Sequence, residues 1–287
     1  MIRIAQTRLF WIGAALAVAA LLGAASPAAH ATDATFERTL TVGSKLDLSV
    51  ATGAGTIHIK RGSAGSIHIL GRVRPGWGTS DDRAREIAAH PPIQQTGNIV
   101  RVGSEHENLR NISIDYEIEA PDNVILDAAP GSGEILDDGV GQEAKLSTGS
   151  GTIHATALKG AFKVETGSGN IFADQTGSGD VKAETGSGSI ELHHIQGALK
   201  AETGSGSIKV DGTPISAWKL ETGSGSIEIW TGNASISLDA ESGSGSVHSD
   251  REVQAQSSED HHHLTGKIGG GGPPVRLETG SGSIRVH

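Results

Sequence analysis

The stretch Leu199-Lys200-Ala201-Glu202-Thr203-Gly204-Ser205-Gly206-Ser207-Ile208-Lys209-Val210 reads as two short strands around a glycine corner. Apolar side chains take alternate positions before the corner (Leu199, Ala201) and again after it (Ile208, Val210). That is the period of a strand with one buried face. A helix would need apolar spacings of three and four, and these are absent.

The same unit recurs along the chain. Gly-Ser-Gly triplets begin at Gly131, Gly149, Gly167, Gly186, Gly204, Gly223, Gly243 and Gly280, with spacings of 18, 18, 19, 18, 19, 20 and 37. The last gap is about two repeats and implies one degenerate rung. Gly53-Ala54-Gly55 is an outlying relative of the motif. Glycine reaches positive φ without a Cβ clash, so the triplet can turn sharply, and its serine hydroxyl can satisfy a backbone group freed by the turn. A second turn falls near Gly160, Gly177-Gly179 and Gly197. Two strands and two turns per 18–20 residues make one narrow coil, and coils of equal length stack. The expected fold is all-β: a single-stranded β-solenoid or β-helix with Gly-Ser-Gly corners and one short helix in its N-terminal part.

Outward positions support that register. Lys145, Lys163, Lys182, Lys200 and Lys219 would form one column, continued by Asp239 and Arg276, beside a column of Glu165, Glu184, Glu202, Glu221, Glu241 and Glu278. The glutamates could bind cations or a basic surface. A solvated, self-neutralising face is the commoner outcome of such pairing.

Residues 1–31 read as a signal peptide: Arg3 and Arg8, the apolar run Leu9 to Gly23, then Ala29-His30-Ala31 as a cleavage pattern. The run is shorter than the roughly 20 residues of a membrane span, which favours cleavage over an uncleaved anchor. Cleavage removes two arginines and no acids and moves the formal net charge from −10 to −12, which disfavours nucleic acid as a partner. There is no cysteine, so disulfides and a lipidated N-terminal cysteine are excluded. The expected location is exported, either periplasmic or extracellular at the cell surface.

Residues 32–287 read as one continuous domain, with 32–125 a less regular N-terminal capping part and 126–287 the regular repeats. Four short strands are expected over 36–72, and a helix over Asp81 to Ala89, with Ser80 as cap and Pro91-Pro92 as stop. Strands follow at Ile99 to Val102 and Ile112 to Glu119. The last repeat finishes at Val286, which implies an uncapped C-terminal edge strand and possible self-association through it.

The serial Thr-Gly-Ser-Gly-Ser-Ile motifs, the segment Ile114-Asp115-Tyr116-Glu117-Ile118-Glu119-Ala120-Pro121 and the signal peptide resemble the bacterial putative-adhesin β-strand-repeat family, a domain of unknown function. The resemblance covers roughly 36 to 287. It implies an exported or surface β-solenoid, in some relatives attached to envelope-stress systems, and it supplies no catalytic residues. Unlike anchored relatives, this sequence has no transmembrane or lipid anchor.

The chemistry is sparse. Phosphate loops need a helix after the glycines, and here strands follow. Calcium β-rolls need aspartates in a nine-residue period, and only Gly179-Asp180 offers one. In Glu259-Asp260-His261-His262-His263, His261, His263 and Asp260 could hold zinc or copper, with an exposed loop as the commoner alternative. Serines and histidines otherwise occur in repeated copies, whereas an active site is one asymmetric cluster. These features favour a non-enzymatic envelope or surface interaction scaffold of adhesin-like type, needing no cofactor and binding an unknown envelope or surface ligand. An accessory of envelope-stress sensing that binds peptide or lipid is the alternative, and a polysaccharide-acting β-helix enzyme is a weaker one.

Overall fold

Each repeat bends once at its glycines, so its two halves enter two different sheets. In the computed structural model, which describes residues 34–103, 109, 111–257 and 261–287, these sheets carry 12 and 13 strands. The proposed signal peptide and Asp260 lie outside the described residues.

The chain starts with β1 (Ala34–Thr41), β2 (Leu46–Ala54), β3 (Ile57–Arg61) and β4 (Ser66–Pro75), then α1 (Asp81–Ala89), β5 (Ile93–Thr96), β6 (Ile99–Val102) and β7 (Ile112–Ala120). Paired strands follow: β8 (Val124–Ser132) with β9 (Ile135–Asp138), β10 (Glu143–Ser150) with β11 (Ile153–Leu158), and β12 (Phe162–Ser168) with β13 (Ile171–Gln175). Next come β14 (Val181–Ser187) with β15 (Ile190–Ile195), β16 (Leu199–Ser205) with β17 (Ile208–Gly212), and β18 (Trp218–Ser224) with β19 (Ile227–Trp230). The chain then forms β20 (Ile236–Ser242), β21 (Val247–Ser249), β22 (Val253–Ser257), β23 (His263–Ile268), β24 (Pro274–Ser281) and β25 (Ile284–Val286). Among the described residues the molecule is thus nearly all-β with one helix, and its coils stack as parallel sheets.

Stacking is in register. Phe162 pairs with Val181, Val181 with Leu199 and Leu199 with Trp218 in one sheet, while Ile171, Ile190, Ile208 and Ile227 pair in the other. These side chains and Val164, Ala183, Ala201 and Leu220 are buried in one continuous core. Each large aliphatic hidden this way contributes about 1.5–3 kcal/mol. The segment around Gly53-Ala54-Gly55 is itself a regular coil, because β2 lies on β8 and β3 on β9.

The corner glycines answer to stacking as well as to turning. A Cβ on Gly204 would sit 2.6 Å from the Gly186 carbonyl oxygen, and one on Gly206 (φ +143°) would overlap the Gly188 carbonyl. Triplet serines such as Ser205 are exposed. The hydroxyl that serves the corner is instead the threonine just before it. Thr203 Oγ1 donates to the Gly188 carbonyl at 2.9 Å, and Thr166, Thr185 and Thr222 make the same bond one coil away each.

Antiparallel strands close both ends. At one end β1, β4 and β7 extend one sheet and β6 and β5 the other. α1 forms where expected and Ser80 has extended cap geometry, but its side chain makes no capping bond. At the other end two expectations fail. The segment between Gly243 and Gly280 holds no degenerate rung: β22 and β23 form an antiparallel hairpin that pairs with β20. Nor is the last repeat an open edge. β24 lies between β18 and β20, and β25 between β19 and β21. The proposed self-association through a bare C-terminal strand loses its premise, because that strand is bonded on both sides. Spatial order also tidies the basic column: Arg276 follows Lys219, and Asp239 comes last.

Among the described residues, one buried position carries a carboxyl group. Asp137 is fully buried in register with Ile59 and Ala155. Its Oδ1 accepts the Val140 N–H at 3.0 Å, and its Oδ2 has no hydrogen-bond partner. Burial pushes this carboxyl well above the ordinary carboxylate range, so it is held as the neutral acid.

Candidate functional site

The two sheets turn different chemistry outward. On the 13-stranded sheet, lysine and glutamate columns interlock: Lys163 meets Glu165 at 2.7 Å, Lys182 meets Glu184 at 2.8 Å and Glu165 at 3.6 Å, and Lys200 meets Glu202 at 2.8 Å and Glu184 at 3.4 Å. Partial burial alone would raise the Glu184 pKa, but Lys182 and Lys200 outweigh it and bring it down to about 2. Shallow grooves of about 620 and 590 Å³ follow the glutamate column, where Glu165, Glu184, Glu202, Glu221 and Glu278 each pair with a lysine or arginine. Such exposed pairs contribute little and leave little unbalanced field for a ligand.

On the 12-stranded sheet the outward residues are more varied, with aspartates, histidines and a tryptophan in one column. β15 carries a bulge: Leu192 pairs with Val210 and Ile195 with Gly212, so His193 and His194 together face Asp211. His194 takes φ 57°, a left-handed value that is uncommon outside glycine. The extra residue turns both imidazoles outward. Asp211 Oδ1 accepts the His194 N–H at 2.9 Å, and its Oδ2 meets His193 Nδ1. Asp174 does the same one bulge earlier, accepting the Ala157 N–H at 3.3 Å and meeting His194 Nδ1 at 2.6 Å. Each aspartate therefore satisfies a bulge amide with one oxygen and holds an imidazole with the other. Glu191 takes His193 Nε2 at 3.1 Å. Burial alone would lower the His193 pKa, but Asp211 and Glu191 outweigh it and raise it above the ordinary imidazole value.

The strip continues across the next coils. Asp211 pairs with Trp230, and the Trp230 ring stacks on His287 with centroids 4.8 Å apart and planes 7° apart. His287 Nε2 meets Glu228 at 2.9 Å and its Nδ1 meets Asp250 at 2.7 Å, while Asp250 also meets His248 at 2.9 Å. Desolvation of Asp250 favours its neutral form, but His248 and His287 outweigh it and hold the carboxyl below its ordinary pKa. The result is an unbroken run of carboxylates, imidazoles and one indole from β13 to β21.

None of the hydrogen bonds of His193, His194, His248 or His287 goes to a hydroxyl. The imidazole–hydroxyl pair of a serine-type acyl transfer is thus not formed there. Among the described residues no three histidine or acidic side chains converge as metal ligands. The arrangement is suited to binding through hydrogen bonds, ring contact and a charge that varies with pH.

The histidines expected to hold metal lie elsewhere. The His261 carbonyl accepts the Val247 N–H and the His262 carbonyl accepts the Ser242 N–H, both at 2.9 Å. His263 Nε2 contacts Asp239 Oδ1 at 3.1 Å and the Thr265 hydroxyl at 2.9 Å. The turn thus docks by its backbone onto the outermost coil and leaves His261 and His263 exposed. Repeat arithmetic did not single out Asp174, His193, His194, Asp211 or Trp230. The available signal was a column seven residues after each corner glycine that mixes aspartate, histidine and tryptophan.

The family model for the Toastrack DUF4097 domain matches residues 104–287. This chain belongs to the Toastrack DUF4097 family. A search of curated proteins finds no match. Among solved structures, this Toastrack chain is similar to a "putative adhesin" from Bacteroides fragilis, at 14% identity and TM-score 0.47, covering 88% of this chain and 97% of that one. It is also similar to a "putative cell adhesion protein" from Clostridium sporogenes, at 13% identity and TM-score 0.25, covering 88% and 98%. A third, a "putative adhesin" from Parabacteroides merdae, has 9% identity and TM-score 0.30, covering 88% and 96%. The Toastrack match takes in all of the strip described above.

Proposed function

We propose that this chain is an exported, non-enzymatic interaction scaffold of adhesin-like type, working at the cell envelope or surface through the histidine–carboxylate–tryptophan strip. The observation that supports this is the asymmetry of the two faces: coils that repeat one lysine–glutamate pattern outward on one sheet carry a mixed histidine–carboxylate–tryptophan cluster on the other. Among the described residues no helix is long and apolar enough to cross a membrane.

The test is capture of fluorescent residues 32–287 by envelope fractions and glycan or peptide arrays. Replacing His193, Asp211 and Trp230 together by alanine should abolish capture. Replacing Lys163, Lys182 and Lys200 should leave it intact. The reverse pattern refutes the assignment, and turnover of a polysaccharide that is lost with His193→Ala would make the chain an enzyme.

A second reading, an envelope-stress accessory that binds peptide or lipid, is favoured by an apolar groove of about 380 Å³ on the other sheet. Ile125, Ala144, Phe162 and Val181 line it, with Lys145 and Lys163 at the rim. Binding of fatty-acid micelles that is lost with Ile125→Asp would support that role. Metal at His261 and His263, with Asp260, is a separate proposal. Zinc titration should give heat with the chain and none with the His261→Ala/His263→Ala variant; equal heats dispose of it.

A further inference from the structure

The coil made by β24 and β25 lies between two coils that both precede it in the chain. The preceding coils follow each other at 18 or 19 residues, but the step from Gly223 to Gly243 is 20. In that step residues 231–235 carry the chain from β19 past one whole level to β20. A guanidinium props this wide turn: Arg251 Nη1 donates to Thr231 Oγ1 at 2.9 Å and to the Ala234 carbonyl at 2.8 Å. The β18/β19 and β20/β21 coils are thereby held two strand spacings apart, about 9.6 Å at 4.8 Å each.

The filling coil matches its slot on both sides. Val275, Leu277 and Thr279 pair with Trp218, Leu220 and Thr222 on one side, and with Leu238, Ala240 and Ser242 on the other. Corner bonds continue through it: Thr279 Oγ1 donates to the Gly225 carbonyl and Ser242 Oγ to the Gly282 carbonyl, both at 2.8 Å. It is tethered to β23 by Gly269-Gly270-Gly271-Gly272-Pro273, which leads into Pro274 at the head of β24. The tether makes a tight return, with the Gly271 N–H donating to the Ile268 carbonyl at 3.3 Å, and its four glycines leave it free to adopt an opened path as well.

We propose that residues 273–287 are an exchangeable coil, traded between two copies of this chain so that each copy fills the other's gap. Every ladder bond and buried contact of the closed form is reproduced in the exchanged pair, so the two differ mainly in the tether and in concentration. A short tether gives the chain's own coil an effective concentration in the millimolar range, and exchange therefore needs crowding on a surface or transient opening. In the exchanged pair, each strip would receive its His287, and so its Trp230 stack, from the other copy. This inference stands on the slot and tether alone and does not depend on what the strip binds.

The chain has no cysteine, so single thiols can report exchange. Ser224 and Ser281 are exposed neighbours in register. Ser224→Cys and Ser281→Cys chains, mixed at high concentration, warmed briefly towards unfolding and cooled, are treated with a short bismaleimide. A dimer whose link joins position 224 of one chain to position 281 of the other is expected to predominate over like-with-like links. Its absence, when the Ser224→Cys/Ser281→Cys double variant closes within one chain, overturns the proposal. Independently, deleting Gly270 and Gly271 strains the closed form and should raise the dimer fraction several-fold by light scattering. A shortened chain that stays monomeric at every concentration also overturns it.

Discussion

The 13-stranded sheet says the same thing on nearly every coil, and the 12-stranded sheet does not. Outward from the first, Lys182, Glu184, Lys200 and Glu202 repeat with the coil and neutralise one another. Outward from the second, one column runs Asp174, His193, Asp211, Trp230 and His287, a mixture of carboxylate, imidazole and indole instead of one repeated charge pair. Both sheets rest on the same glycine corners and aliphatic core. A repeated surface is explained by stacking alone, whereas an unrepeated one calls for a reason of its own. The lesson is a division of labour in which repeated positions carry stability and departures from the repeat carry recognition.

The strongest challenge to that division is Gly206→Ala, which places a Cβ on the Gly188 carbonyl at φ +143°. Backbone strain and overpacking together should cost about 3 kcal/mol in urea denaturation. A change near zero would mean that the corners do not set stability.

Next comes Asp137, an unrepeated residue that faces the core. Its folded pKa lies well above the unfolded one, so the stability it contributes is fully present below the ordinary carboxylate pKa of about 3.9. That stability is lost as pH rises through the folded value. Asp137→Asn should therefore gain about 1–3 kcal/mol at neutral pH and little below pH ~4, read by denaturation across pH. Glu184 has the opposite sign: its contribution is present above the ordinary glutamate value of 4.5 and is lost as pH falls towards about 2. Its Glu184→Gln variant should differ from the parent least in strong acid.

Asp211→Ala removes a partner from His193 and the acceptor of the His194 N–H. The His193 pKa should fall in an NMR titration, and ligand capture should fall with it, while most of the stability remains. Smallest of all, Lys200→Ala should leave the midpoint of unfolding unchanged within error, and added salt should not alter that result. A clear loss of ligand with this variant would merge the two faces into one site.

Much of the fold was legible because a strand repeat writes its period directly into the sequence. Alternation around Gly204 and the recurrence of Thr-Gly-Ser-Gly marked strands, corners and inward faces, and the breaker pair Pro91-Pro92 ended α1. The triplet serines misled, since a hydroxyl beside a turn looks like its cap, but it is the inward Thr203 that reaches the neighbouring coil's carbonyl. The strip was illegible for a related reason. His194 reaches Asp174 across 20 residues and His287 reaches Glu228 across 59, and no local pattern links them.

By itself, the sequence determined that equal coils would stack, which residues would face inward, and that one outer face would carry paired charges, because each follows from periods of two and of about 18–20. The order of the coils was decided only in three dimensions. Chain order puts residues 274–286 after β20 to β23, yet that coil lies between β18/β19 and β20/β21 and is bonded on both sides, with the β22/β23 hairpin beyond β20. Backbone ladders reward any matching edge wherever it falls in the chain, so a repeat fixes what pairs well without fixing who lies beside whom.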